Sequence, residues 1–200
     1  MAQHNRLASG GRIDREKLLS FEFDGKSYQG YEGDTLASAL LANNVHLIGR
    51  SFKYHRPRGI MSAGAEEPNA YMQVGKGNRT EPNCRATQTE LYNGMTVESQ
   101  NRWPSLNHDI GAMNSVFSRL FPSGFYYKTF MWPKSLWMTY EHFIRNAAGM
   151  GKAPTEEDPD RYATKFAYCD VLIAGSGPAG LAAALAAGRT GALVILAEQD

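Results

Sequence analysis

The amino-acid sequence predicts an α/β protein, with an α+β N-terminal part followed by the first β-α-β unit of a second domain. Three observations predict this class. Alternating extended runs flank Asp24-Gly25, an aromatic segment with helical periodicity occupies the middle, and a glycine-rich turn joins an apolar strand to an alanine-rich helix near the end. The predicted divisions are a flexible arm at 1–17, an α+β domain at 18–100, a connector with linker at 101–165 and the β-α-β unit at 166–200.

Composition places the chain among globular proteins. Of its 200 residues, 42% are hydrophobic and 20% are charged, and the net charge is +1. A net charge this small produces no overall electrostatic field that would attract nucleic acid or an anionic membrane. No apolar run reaches the roughly 20 residues that span a bilayer, and the N-terminus lacks the apolar segment of a secretory signal. We therefore expect a cytoplasmic protein without nucleic-acid or membrane partners.

The first predicted element is a β-hairpin. Residues 1–17 are polar and contain glycines, which is typical of a flexible arm. Extended runs at 18–23 and 26–31 then lie on either side of Asp24-Gly25. This dipeptide predicts a type I′ turn, because both central residues of such a turn need positive φ.

A helix and a long loop follow the hairpin. Asp34 predicts the N-cap of this helix, and Leu36 and Leu40 follow at helical spacing. A long irregular loop leads to further extended runs at 70–74 and 85–91. Hairpin, helix, long loop and strands in this order are the elements of a β-grasp ferredoxin-like domain.

The connector at 101–165 is rich in aromatic residues and contains all three tryptophans. Apolar residues recur at helical spacing over 110–121 and predict an amphipathic helix. Ser135 predicts the cap of a second helix that ends near Gly149. Glycine, proline and acidic residues at 149–161 indicate a linker.

The glycine-rich turn near the end is the motif that carries chemistry. Gly175 permits a tight turn, Gly177 lets the backbone approach a pyrophosphate, and Gly180 lets the helix pack on the strand. Pro178 suits the first helical position, and the helix N-terminus attracts phosphate. Strand, turn, helix and second strand together predict the beginning of a Rossmann dinucleotide-binding domain, which two strands alone do not complete.

Glu198 indicates which dinucleotide the turn would bind. It lies 23 residues after Gly175, at the end of the second predicted strand. A carboxylate there can accept hydrogen bonds from the adenosine ribose, and it would repel a 2′-phosphate, so NADP is disfavoured. The half-motif by itself serves both NAD and FAD, and a glycine turn that binds nothing is the less favoured alternative.

Five stretches of the sequence together resemble one family, the alpha subunits of heterotetrameric sarcosine oxidases, in their N-terminal part. These stretches are RPRGIMSAGAEEPNA (56–70), EPNCRATQTELYNG (81–94), ESQNRWPSLNHDIGAMNS (98–115), FYYKTFMWP (125–133) and VLIAGSGPAGLAAALAAG (171–188). The middle stretches are specific to the family, whereas the last is shared with many flavoproteins.

The resemblance implies a reaction and a set of partners. The enzyme demethylates sarcosine oxidatively with O₂ and tetrahydrofolate, giving glycine, 5,10-methylenetetrahydrofolate and H₂O₂. FAD and a covalent FMN belong to the complex through its beta subunit, with gamma and delta subunits as further partners. Tetrahydrofolate would bind a C-terminal domain beyond residue 200, and NAD would bind this chain.

The resemblance also implies cofactor-binding residues, and no catalytic residue can be named. Relatives often have Asp-Glu at the end of the second strand, where this chain has Glu198 and Gln199. The second of these positions is therefore neutral here instead of negatively charged. The implied NAD contacts are Gly175, Ser176, Gly177, Pro178, Ala179, Gly180, Glu198 and Gln199.

The loop at 56–70 departs from the cluster-bearing relatives of its domain. In those relatives it holds cysteines at C-x4-C-x2-C spacing, and these positions fall on Ser62, Glu67 and Ala70 here. The fourth ligand would fall near Cys84. One thiolate cannot hold a cluster that needs four. The resemblance therefore implies a ferredoxin-like fold kept for packing, without an iron–sulfur cluster or any other metal.

Two other groups of residues have a less specific interpretation. Lys128 lies among aromatic residues and could be a desolvated lysine with a lowered pKa, but pairing with an acid or extension of its ammonium to solvent is favoured. The histidines show no metal-ligand spacing. A basic cluster interleaved with aromatic residues favours a solvated or subunit-contact surface over a phosphate site. This basic cluster consists of Arg50, Lys53, His55, Arg56 and Arg58.

Two alternative functions stay open. One is the alpha subunit of a related amine, opine or proline dehydrogenase, which the missing cluster ligands disfavour. The other is a non-catalytic assembly module that binds a partner subunit and retains no nucleotide by itself.

Overall fold

The computed structural model describes residues 3–120, 123–124, 132–147 and 150–198. It divides into two units, Met1–Pro159 and Asp160–Asp200. Among these described residues, no helix is both long and apolar enough to cross a membrane.

The first unit contains seven strands and two α-helices within its described residues. They are β1 (Asp14–Phe23), β2 (Lys26–Glu32), α1 (Leu36–Ala42), β3 (Gly49–Arg50), β4 (Pro57–Arg58), β5 (Tyr71–Val74), β6 (Glu81–Arg85), β7 (Met95–Ser99) and α2 (Trp137–Ala147).

Five of these strands form a mixed sheet in the order β2-β1-β7-β5-β6. β1 runs parallel to β7, and the other neighbouring pairs are antiparallel. The predicted hairpin is confirmed: Phe23 pairs with Lys26, and Asp24 and Gly25 have φ angles of 48° and 76°. Both values are positive, as a type I′ turn requires.

Helix α1 supplies one side of the hydrophobic core, and the sheet supplies the other. Leu36 and Leu40 of α1 are fully buried in the same cluster as Met72 of β5 and Met95 of β7. Each such side chain contributes roughly 1.5–3 kcal/mol through burial. This core belongs to the first unit and fixes the loops that connect its strands.

The N-cap of α1 is Thr35, so the prediction of Asp34 was wrong. The Thr35 hydroxyl accepts from the Ser38 N–H at 3.2 Å. Asp34 is instead buried and binds Arg6 through both carboxylate oxygens, at 3.0 and 2.6 Å. The arm is thus anchored at Arg6 by an ion pair, and its last residues, from Asp14 onward, already belong to β1.

The predicted strand at 85–91 was also wrong, since β6 ends at Arg85. The residues after it meet the first turn of α1 instead: Leu36 N–H donates to Thr89 and Ala37 N–H donates to Ala86, both at 2.9 Å. The first N–H groups of a helix need such acceptors, and this need takes the segment out of the sheet.

The connector is less helical than predicted. Over 110–120 the structure has two short 3₁₀ segments, Ile110–Ser115 and Ser118–Leu120, in place of one α-helix, and residue 121 lies outside the described residues. Side chains from the first segment bond elsewhere, with Ser115 donating to the Tyr54 carbonyl at 3.0 Å. The second helix, α2, begins after a 3₁₀ turn at Lys134–Leu136. Lys128 and Gly149 lie outside the described residues.

The second unit contains β8 (Val171–Ala174), α3 (Pro178–Arg189) and β9 (Val194–Ala197). The two strands are parallel, with Val171 opposite Val194 and Ala174 opposite Ala197. The helix between them completes a β-α-β unit. The glycine turn and Glu198 therefore lie at the carboxyl ends of neighbouring parallel strands, which is the edge where open α/β sheets bind ligands.

Candidate functional site

The turn after β8 has the backbone geometry that its glycines allow. Gly175 has a φ of +100°, and its N–H donates to the Ala197 carbonyl at 2.7 Å. A Cβ added at Gly180 would overlap the Gly175 carbonyl oxygen, so only glycine lets the helix approach the turn this closely. At Gly177, by contrast, an added Cβ would meet nothing within 4 Å. The space in front of Gly177 is open.

The N-terminus of α3 faces that open space without a cap. Gly177 is the N-cap residue, Pro178 is in the first turn, and no described side chain caps the helix. The first N–H groups of a helix need acceptors, and the helix dipole favours an anionic one. The turn therefore combines an open approach with donors suited to a phosphate.

Glu198 lies beside this turn. Its Oε2 accepts a hydrogen bond from the Ser176 N–H. The structure thus brings together the predicted residues of the glycine turn and the predicted acid, with Ala179 in the first turn of α3. Gln199 lies outside the described residues. That these residues bind NAD stays a prediction.

The loop at 61–70 is closed by its own carboxylate. Glu67 is only 1% exposed, and Oε2 accepts from the N–H groups of Met61 and Ser62 at 2.7 and 2.6 Å. Oε1 accepts from the Asn69 N–H at 2.8 Å. Burial raises the pKa of the Glu67 carboxyl, but the N–H groups of Ser62, Asn69 and Met61 outweigh burial and hold the pKa below its usual value.

The other positions that match the cysteine spacing of a cluster loop do not supply a set of metal ligands. Ala70 is fully buried in the core, and the Cys84 thiol donates to the Glu81 carbonyl at 3.4 Å. In the part of the chain that the structure describes, no group of three or more His, Cys, Asp or Glu side chains could hold a metal ion. The donor set at this loop does not fit an iron–sulfur cluster.

The basic cluster is partly built into the fold. Arg50 donates to the Leu106 and His55 carbonyls, and both Lys53 and Arg56 lie over the Tyr54 ring, 4.8 and 5.0 Å from its centre. Several of its cations therefore have structural partners. These contacts agree with a structural surface more closely than with a phosphate site.

Sequence reasoning missed a buried acid beside this cluster. The Asp109 carboxylate is fully buried and contacts His55 Nδ1 at 2.6 Å. It also accepts from the Trp103 and Gly111 N–H groups, both at 3.1 Å. The only local signal was an aspartate two residues before a glycine, which suggests a turn. The histidine lies 54 residues away, so spacing could not reveal the pair.

Comparisons with known proteins found one matching family model and several similar proteins. A family model described as a 2Fe-2S iron-sulfur cluster binding domain matches residues 16–102. A sarcosine oxidase subunit alpha from Rhizobium meliloti (strain 1021) is 62% identical over 97% of this chain. The proteins of the same name from Corynebacterium sp. strains U-96 and P-1 are 32% and 34% identical over 100% and 94% of it.

A solved structure, L-proline dehydrogenase from P. horikoshii, is similar with a TM-score of 0.43 and 21% identity, covering 92% of this chain and 25% of that chain. The chain spans 20%, 16% and 15% of the lengths of the three sarcosine oxidase subunits. Because the similarity to these subunits runs along nearly the whole chain, the chain is homologous to the N-terminal part of sarcosine oxidase alpha subunits.

Proposed function

We propose that the chain is the N-terminal part of the alpha subunit of a cytoplasmic heterotetrameric sarcosine oxidase, and that this part binds NAD. The complete enzyme would convert sarcosine, O₂ and tetrahydrofolate into glycine, 5,10-methylenetetrahydrofolate and H₂O₂. Identity of 62% with an alpha subunit over 97% of the chain supports the enzyme assignment.

The observation that carries the NAD proposal is the arrangement around Gly177. The open space before this residue lies at the uncapped N-terminus of α3. A pyrophosphate there would receive backbone N–H groups and the positive end of the helix dipole. A side chain at Gly177 would occupy the space that the pyrophosphate needs.

Glu198 supports NAD over NADP. Its carboxylate already lies against the Ser176 N–H, so it is next to the turn that would hold the pyrophosphate. Ribose hydroxyls would donate to this carboxylate, whereas a 2′-phosphate would meet a like charge. The role of this chain's residues is to bind and orient the dinucleotide.

The remaining chemistry belongs elsewhere in the proposed complex. FAD and covalent FMN would be held through the beta subunit, with gamma and delta subunits completing the heterotetramer. Tetrahydrofolate would bind a C-terminal domain of the alpha subunit. We assign no catalytic residue to the first 200 positions.

The test is nucleotide analysis of the complete purified complex. We expect NAD in the wild type, and loss of NAD in a Gly177→Ala variant that keeps its FAD and FMN. Gly188→Ala is the matched control, because its added Cβ also meets nothing within 4 Å and lies in the same helix. Absence of NAD from the wild type, or its full retention in Gly177→Ala, would overturn the proposal.

One observation favours a second candidate, a related amine, opine or proline dehydrogenase. The first unit matches a family model described as binding a 2Fe-2S cluster, and its mixed sheet with α1 on one side suits a β-grasp ferredoxin-like fold. Such a dehydrogenase would use the cluster to pass on electrons. Analysis of the complex for iron and acid-labile sulfide separates the two candidates, since we expect neither.

A further inference from the structure

One loop of the first unit lacks the cysteines that its matching family model, a 2Fe-2S cluster binding domain, would need. Clusters of the plant ferredoxin type are held by four cysteine thiolates, three of them at C-x4-C-x2-C spacing. The family match covers residues 16–102, yet Ser62, Glu67 and Ala70 stand at this spacing, and Cys84 is the only cysteine within the match. A cluster that needs four thiolates has no ligand set here.

The loop nevertheless has a defined structure around a negative charge. The buried Glu67 carboxylate accepts from the N–H groups of Met61, Ser62 and Asn69 at 2.6–2.8 Å. The Ser62 hydroxyl is a more distant donor at 3.4 Å. Three backbone donors thus converge on one side chain from both ends of the loop.

A buried carboxylate is costly unless hydrogen bonds replace its water, and these donors replace it. Iron–sulfur clusters are also anionic groups whose sulfurs accept hydrogen bonds from the protein. We propose that the Glu67 carboxylate takes the place of the cluster, as the anion around which the loop at 61–70 folds.

The loop is tied to the rest of the unit through Thr87. The Thr87 hydroxyl donates to the Gly64 carbonyl at 2.8 Å, and the neighbouring Ala86 carbonyl accepts from the Ala37 N–H in the first turn of α1. Ala86 N–H in turn donates to the Ala70 carbonyl at 2.8 Å. Order at Glu67 is therefore coupled to the segment whose carbonyls accept from the first turn of α1.

The test is hydrogen exchange of the complete complex, read by mass spectrometry on peptides that cover 61–70. Glu67→Gln removes the charge and turns one of the two oxygens into an NH₂ that faces backbone N–H donors. Because the three N–H groups share this one acceptor, exchange at Met61, Ser62 and Asn69 should rise roughly 10- to 30-fold. The control is Glu66→Gln, which removes an adjacent but exposed carboxylate. Equal exchange in the two variants would overturn the proposal.

The wild type gives a second measurement that does not depend on folding of a variant. Its amides at 61, 62 and 69 should exchange at least about tenfold more slowly than an unstructured chain, in a sample that contains no iron. Unprotected amides, or two irons with two acid-labile sulfides per alpha subunit, would overturn the proposal. Both results are independent of whether NAD binds near Gly177.

Discussion

The loop at 61–70 and the glycine turn at 175–180 both direct backbone N–H groups at a carboxylate, but they differ in burial. Glu67 is 1% exposed and accepts from three backbone N–H groups. Glu198 is exposed, and it accepts from the Ser176 N–H. The loop at 61–70 is filled by its own side chain, and we call it the closed loop. The turn at 175–180 is open in front of Gly177, and we call it the open turn.

This difference separates two uses of the same backbone chemistry. N–H groups that converge on a buried side chain stabilise the fold, because their acceptor is always present. N–H groups at an uncapped helix N-terminus with open space before them suit an acceptor that arrives from outside. Changes at the two loops should therefore affect different measurements, stability at the first and nucleotide retention at the second.

The largest expected effect is at the open turn. In Gly180→Ala, the new Cβ would overlap the Gly175 carbonyl oxygen, so α3 must move away from the turn. We expect NAD retention by the complex to fall more than about 100-fold, as a displaced helix N-terminus no longer meets the pyrophosphate. Equilibrium dialysis measures this. Retention equal to that of Gly188→Ala would show that close packing at Gly180 is not required.

The next effect is a pH dependence at the closed loop. The pKa of Glu67 lies below its usual value, so the charged form stabilises the fold above the unfolded pKa, near 4.5, and this contribution is lost as the pH falls through the lower folded pKa. At pH 7 we expect Glu67→Gln to cost roughly 1.4–2 kcal/mol of local opening free energy.

Hydrogen exchange of the 61–70 peptides, corrected for intrinsic rates, measures this opening from pH 7 to pH 3. The gap between wild type and Glu67→Gln should shrink below about pH 4.5. The gap between wild type and Glu66→Gln should stay near zero throughout, since Glu66 is exposed. A gap that did not change with pH would contradict a role for the charge.

A smaller effect is expected at the open turn for Glu198→Gln. The neutral amide keeps an oxygen for the ribose but loses the charge, so NAD affinity should fall roughly tenfold. The ratio of NAD affinity to NADP affinity should fall as well, because removal of the carboxylate also removes its repulsion of the 2′-phosphate. Binding of both dinucleotides is measured by calorimetry, with Glu157→Gln of the exposed linker as control. An unchanged NAD to NADP ratio would argue against contact between Glu198 and the ribose.

Local signals in the sequence predicted what local geometry determines. The hairpin follows from Asp24-Gly25, and the parallel β-α-β unit follows from the glycines and the apolar runs beside them. Contacts across long sequence separation were not predictable. Asp34 pairs with Arg6, which lies 28 residues earlier, and Thr35 is the N-cap instead.

The closed loop shows the same limit at the candidate site. The position of Glu67 could be read from ligand spacing, and so the absence of thiolates could be predicted. Its hydrogen bonds could not, because they depend on how the loop folds back between Met61 and Asn69. Spacing identifies which residue replaces a ligand, and packing decides what the replacement does.

The smallest effect is expected for Ser62→Ala, at the centre of the closed loop. The Ser62 hydroxyl lies 3.4 Å from Glu67 Oε2, whereas its backbone N–H lies at 2.6 Å. Removal of the hydroxyl leaves all three backbone donors, so the cost in local opening free energy should stay within about 0.5 kcal/mol. Hydrogen exchange of the 61–70 peptides measures it. A loss as large as that of Glu67→Gln would mean that side-chain donors hold the carboxylate, and the likeness between the two loops would then no longer rest on their backbones.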